Sequence, residues 1–161
     1  MSEHRYSIPR WMSILYRTGQ MYLAARFEHL DIGKGQLIFL NALYRQDGMT
    51  QEEISYDLRI DKGTTAKALK KLEEQGYIVR LVRANDKRSY SVHLTEKALA
   101  IQDEVRQGFA EWRSLLLQGL SEEEQERMLD SLEKMGRNAA EVAAKFREGD
   151  RQVTGGGTDI S

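Results

Sequence analysis

Lys67, Lys70 and Lys71, with Lys62 ahead of them and Gly63, Thr64 and Thr65 between, are the residues of this 161-residue chain best suited to chemistry. That chemistry is the neutralisation of a polyanion. Ammonium groups displace counterions from phosphates, and hydroxyls near a helix N-terminus can take a phosphate oxygen or a base edge. Glycine at 63 would let the backbone come close. On a wheel of about 100° per residue, Thr65, Leu69 and Leu72 fall together, while Gly63, Lys67, Lys70 and Lys71 lie opposite. A solvated lysine face would look the same, so the neighbouring segments must decide between the two.

A second cationic set lies downstream. Asp86, Lys87 and Arg88 stand where turn residues predict the tip of a hairpin. An arginine there can enter a narrow minor groove, where the potential is most negative, and Asp86 is placed to hold it. Arg80 and Arg83 suit backbone contacts or plain surface. The formal net charge of −1 hides this pattern. Residues 59–88 carry nine bases (Arg59, Lys62, Lys67, Lys70, Lys71, Arg80, Arg83, Lys87, Arg88) and four acids (Asp61, Glu73, Glu74, Asp86). Residues 120–133 carry six acids and one base, Arg127. Such asymmetry points to a basic region that meets an anion and an acidic one that does not.

Catalytic patterns are missing. His4, His29 and His93 are scattered without metal-ligand spacing, and Glu52-Glu53 belongs to a helix cap. No phosphate-binding glycine loop, nucleophile elbow or zinc-protease motif occurs, so the expectation is a protein that is not an enzyme and needs no cofactor or metal. Cysteine is absent. No apolar run reaches the length of a membrane span and the N-terminal residues lack a signal-peptide core, which makes the cytoplasm the expected compartment.

The elements that would position these residues follow from local pattern. Asp61 and Gly76 bracket the lysine-bearing helix as N-cap and C-terminal glycine. Upstream, Thr50 and Glu53 form a capping box that starts a short helix over 51–58, with Ile54 and Leu58 facing in. Two short helices joined by the Arg59-Ile60 turn are a helix-turn-helix. Two strands follow, 77–83 with Tyr77, Val79, Leu81 and Arg83 on one side, and 89–94, joined by the turn residues 84–87. Helix-turn-helix plus basic hairpin makes a winged helix.

Flanking helices are predicted over 7–28, capped by Ser7 and started by Pro9, and over 34–46 as a central apolar body. Ile8, Trp11, Leu15, Tyr22 and Phe27 recur at helical spacing in the first. Thr95 would cap one helix reaching about 119, and Ser121 with Glu124 begins another. In the last, Met128, Leu132, Met135, Ala139, Val142 and Phe146 form a heptad seam that asks for a second chain. Trp11, Trp112, Met128 and Met135 are assigned to packing. The expected fold is mainly α: a winged helix-turn-helix with a two-stranded wing and long N- and C-terminal helices. Its parts are 1–32, an N-terminal helix; 33–94, the winged helix-turn-helix; 95–147, C-terminal helices; and 148–161, a tail of disordered composition.

The stretch TQEEISYDLRIDKGTTAKALKKLEEQGYIVR at 50–80, the wing pattern Asp86-x-Arg88, and LTEKA at 94–98 together resemble the MarR family, the multiple-antibiotic-resistance type of winged-helix transcriptional regulators. The resemblance spans roughly 8–147. It implies a homodimer, with the N-terminal helix of 1–32 and the C-terminal helices of 95–147 as dimerisation helices, the recognition helix of 61–75 entering a major groove of double-stranded DNA and Arg88 reaching an adjacent minor groove or the backbone. It also implies a repressor released from a pseudo-palindromic operator by a small effector. Met12, Tyr16, His29 and Phe39 are candidates to line that effector's pocket. Gly63 and Ala66 stand where the family often has hydroxyl residues, and the lack of cysteine excludes a thiol-oxidation switch. A rival reading keeps the winged helix but docks its basic face on an acidic protein.

Overall fold

The computed structural model describes residues 7–33, 35–83 and 86–154, without the side chains of 84–89 and 147–154. Seven helices and one two-stranded antiparallel sheet occur among the described residues, one helix more than the sequence pattern predicts, while the two-stranded wing is as predicted. The chain divides after Leu116 into two compact units.

The first unit is built on α2 (Leu37–Arg45), in which Leu37, Phe39, Leu40, Ala42, Leu43 and Tyr44 are all buried. A helix apolar on nearly every side is stable only when wrapped by others. Its predicted start at Lys34 falls outside the described residues, and the helix begins at Leu37. The Gln36 amide oxygen accepts from Gly33 N at 2.6 Å and Gln36 N donates to Gly33 O at 2.7 Å, so the chain is still closing a loop there.

Helix α1 (Ile8–Arg26) opens with Pro9, but the Ser7 hydroxyl makes no capping bond, contrary to expectation. Its C-terminal half buries Gly19 and Leu23, and Phe27 follows directly in the core. Ile8, Trp11 and Leu15 stay exposed, as does Met135 further on, although the sequence pattern assigns Trp11 and Met135 to packing.

Next come α3 (Gln51–Leu58), α4 (Lys62–Glu74), β1 (Ile78–Arg83) and β2 (Asp86–Leu94). Ile54, Thr65, Leu69 and Leu72 are fully enclosed, and with Ile78 and Val92 they pack the helix-turn-helix on α2. The strand alternation is less regular than predicted. Tyr77 and Ile78 are buried, but Val79, Leu81 and Val82 are exposed because the hairpin leaves the core.

The helix predicted from Thr95 to about 119 is two helices, α5 (Glu96–Ala100) and α6 (Gln102–Leu117). Thr95 caps the first, its hydroxyl accepting from Ala98 N at 3.3 Å. The break has a cause distant in sequence. The Ala98 carbonyl accepts from the buried Tyr44 Oη at 2.6 Å and from Ile101 N at 3.3 Å, which turns the backbone tightly at Ile101. Burial pushes the Tyr44 phenol pKa far up, so it remains a proton donor.

Helices α1 and α6 meet through glycine. A Cβ on Gly108 would sit 2.3 Å from Phe27 Cζ, and one on Gly19 would sit 3.3 Å from the Trp112 ring. Tyr22 stacks on Trp112 with centroids 5.2 Å apart. Arg26 joins Glu104 at 3.3 Å and Glu111 at 3.1 Å, and Tyr22 Oη donates to Glu111. The Arg26 guanidinium, first of all, holds the Glu111 carboxyl below the usual range.

The second unit begins at Leu117. Gly119 turns left-handed at φ +86°, and Ser121 and Glu124 form the predicted capping box before α7 (Glu122–Thr154). This helix runs on past 148, where composition predicts a tail, and 155–161 lie outside the described residues. Along the predicted seam, Leu132, Val142 and Phe146 are exposed.

Candidate nucleic-acid interface

The local chemistry of 50–76 builds the site as the sequence predicts. The Thr50 hydroxyl accepts from Glu53 N at 3.2 Å, and the Glu53 carboxylate accepts from Thr50 N at 2.7 Å. The Thr50 backbone N–H first, and then the Thr50 hydroxyl, 2.9 Å from the same carboxylate oxygen, hold the Glu53 carboxyl below its ordinary range. Asp61 Oδ1 accepts from Thr64 N at 2.9 Å. Its carboxyl is also held down, mainly by hydrogen bonding to Thr64, and so stays charged at neutral pH. A Cβ on Gly63 would lie 3.2 Å from that same Asp61 oxygen, so glycine eases the cap as well as baring the backbone. At the far end Gly76 takes φ +76°, and Lys97 Nζ donates to the Gln75 carbonyl at 2.6 Å. A cation there also suits the helix dipole.

Helix α4 presents Lys62, Gly63, Thr64, Lys67, Lys70 and Lys71 to solvent. Thr65 is a correction. It is fully buried between the leucines and its hydroxyl has no partner, so it cannot touch a ligand outside the helix. The four cations also differ. Lys62 pairs with Glu52 of α3, and Lys70 with Glu74 at 3.7 Å. Among the described residues neither Lys67 nor Lys71 forms an ion pair, and their full charge faces outward.

The hairpin is fixed at its root and irregular at its end. Gly48 N donates to Val92 O at 3.0 Å, Val92 N donates to Met49 O at 2.8 Å, and Thr50 bridges Ser91. Asp47 Oδ1 accepts from Leu94 N at 2.8 Å, while its other oxygen lies 3.1 Å from His93 Nδ1. Ser91 Oγ lies 2.9 Å from His93 Nε2. The serine–histidine–aspartate order imitates a hydrolase triad, but its bonds lock β2 to the loop before α3. Arg80, 3.3 Å from Glu73, ties β1 to α4.

Pairing runs in step from Ile78↔Leu94 to Val82↔Tyr90 and then jumps to Arg83↔Asp86. Lys87, Arg88 and Ser89 are thereby left between two pairings with no partner on β1. Asp86 to Arg88 thus belong to β2 rather than to a turn, in a bulge of the kind that re-aims a strand. The predicted turn residues 84 and 85, and the predicted hold of Asp86 on Arg88, lie outside the described residues and side chains.

The four candidate pocket residues differ in exposure. Phe39 is enclosed in the core, Met12 and Tyr16 are exposed on α1, and His29 Nε2 lies 2.8 Å from Glu104. Among the described residues no group of three metal-ligating side chains forms, and no helix is long and apolar enough to cross a membrane. Arg59, which sequence reasoning counted but gave no role, stands exposed in the turn ahead of α4 with φ +54°.

Comparison with known proteins places this geometry. The model of the MarR family matches residues 34–90. The uncharacterized HTH-type transcriptional regulator YybA of Bacillus subtilis is 30% identical over 112 residues, which is 70% of this chain and 75% of that one. The crystal structure of a MarR transcriptional regulator from Methanosarcina mazei is 40% identical with a TM-score of 0.75, over 84% of this chain and 97% of that one. The S. aureus MepR–DNA complex is 29% identical with a TM-score of 0.76, over 83% and 98% of the two chains.

Proposed function

The chain belongs to the MarR family, whose members are transcriptional regulators rather than enzymes, and from that premise we propose that it is a dimeric, sequence-specific DNA-binding repressor. One observation carries the DNA reading: α4 is capped at both ends and turns outward Lys67 and Lys71, whose charges no carboxylate among the described residues offsets. Similarity to a regulator solved with DNA supports the same reading. In it α4 lies in a major groove, Thr64 and the Gly63 backbone approach base edges or phosphates, and Lys62, Lys70, Lys71, Lys87 and Arg88 line the backbone path.

The uncovered apolar residues of α1 and α7 support a second copy as partner, with 1–32 and 95–147 as dimerisation segments around the DNA-binding part at 33–94. Two copies would read half-sites about one helical turn apart. Release by a small effector completes the proposal. Met12, Tyr16 and His29 are the exposed members of the candidate set able to meet it.

The test uses the inverted repeat sought just upstream of the protein's own gene as a labelled duplex. Lys67→Glu and Arg88→Glu are each expected to abolish the gel shift and to leave the dimer intact by light scattering. Undiminished affinity in either variant removes that residue from the interface. Competition by excess mixed-sequence DNA should not erase operator binding; if it does, sequence specificity is lost from the proposal.

A further inference from the structure

The Arg59 backbone sits in the left-handed region, φ +54° and ψ +33°, where an L side chain is strained and glycine is not. It is the one non-glycine residue with positive φ among the described residues. The turn could be made more cheaply, so the side chain has a use. That side chain is held rather than loose. Its guanidinium lies 4.3 Å from the centroid of the Tyr56 ring, three residues back on α3. Tyr56 is 70% exposed, so this pairing forms at the surface and not in the core. A cation over the ring uses one face of the guanidinium, and no hydrogen bond of its N–H groups occurs among the described residues, so they are available to a planar bidentate acceptor.

Charge sets it apart from its neighbours. Arg45 pairs with Asp57 at 2.7 Å and Lys62 with Glu52, so the cations on either side are offset by α3 carboxylates. No ion pair of Arg59 occurs among the described residues. Its place is two residues before the Asp61 cap, at the end of the recognition helix that leads into a groove, where the flanking strand's phosphates pass.

We propose that Arg59, propped by Tyr56, is a phosphate contact of the DNA interface that flanks the N-terminal end of α4. The inference rests on the DNA-binding reading above. It adds one bidentate cation that the lysine face does not contain, and it makes Tyr56 a positioning residue.

A phosphate contact does not depend on sequence, so the probe is a fluorescent duplex of mixed sequence, titrated with the full chain between about 50 and 200 mM salt. Wild type, Arg59→Gly, Arg59→Ala and Arg59→Lys are compared by anisotropy and by thermal melting. Loss of one phosphate contact should lower the slope of log affinity against log salt by about 0.9. Arg59→Gly is expected to lose that slope and yet melt at the same or a higher temperature, because the strain is relieved. Arg59→Ala should lose the slope too, whereas Arg59→Lys, with a comparable backbone penalty, should retain it. Slopes of Arg59→Gly and Arg59→Ala equal to wild type would overturn the inference while the DNA-binding reading stands. A wild-type chain with no salt-dependent affinity would overturn that reading first. Tyr56→Leu should weaken binding several-fold without changing the slope, since the charge remains; unchanged affinity would strip Tyr56 of its role.

Discussion

Helices α2 and α7 both carry large apolar side chains, on nearly every side in α2 and as a stripe among charged residues in α7, and these meet opposite fates. In α2, six of nine residues are buried and the first unit closes around them. In α7, which runs 33 residues, Leu132, Val142 and Phe146 keep half or more of their surface open. Burial of a large aliphatic side chain is worth about 1.5–3 kcal/mol, so α2 alone supplies much of the driving force for its unit. The same gain is latent along α7 and is realised only when a partner covers it. One helix therefore stabilises a fold, and the other, in the dimer proposed above, would stabilise an association.

The largest expected effect tests the first half of that contrast. Leu40→Ala should cost about 2–5 kcal/mol in chemical denaturation, independent of protein concentration. A cost below about 1 kcal/mol would mean that α2 is not the centre of its unit. Next, Leu132→Glu combined with Val142→Glu should weaken self-association by about 100-fold, roughly 1.4 kcal/mol for each site, with little change in the helix-turn-helix core. Sedimentation equilibrium reads this directly, and an unchanged monomer–dimer balance would move the interface elsewhere.

A smaller effect separates the two faces of α4. Thr65→Val removes a buried hydroxyl without a partner, so stability should hold or rise by up to about 1 kcal/mol, and DNA affinity should not move. Weakened DNA binding with intact melting would restore Thr65 to the interface. The smallest effect compares the two capping boxes. The carboxyls of Glu53 and Glu124 are both held below their ordinary range by the residue they cap, Thr50 and Ser121. Their folded pKa values are depressed, so the stabilisation is full above the unfolded value near pH 4.3 and fades as pH falls through the folded one. Glu53→Gln should flatten the acid limb of a pH–stability curve for the first unit; an unchanged limb would show that the box contributes no linkage.

What the sequence made legible was the part decided within a turn or two of chain. Thr50 with Glu53, Ser121 with Glu124, Asp61 and Gly76 all act at the positions their types announce. The misses were decided at a distance or by geometry. No local pattern could announce that the Tyr44 hydroxyl would take the Ala98 carbonyl and split a helix, because the two lie 54 residues apart. The helical wheel already set Thr65 beside Leu69 and Leu72, and its burial there overrides the contact role that its hydroxyl suggested. Arg59 carried no signal beyond its charge, since a left-handed backbone at arginine is visible only in the dihedral angle.

The anchoring of the hairpin root has a further consequence. Asp47, Gly48, Met49 and Thr50 bond to β2, and Thr50 also begins α3. Strand and helix thus share one joint at the root of the hairpin. In the DNA complex proposed above, an effector that displaced α3 would therefore carry the base of the wing with it.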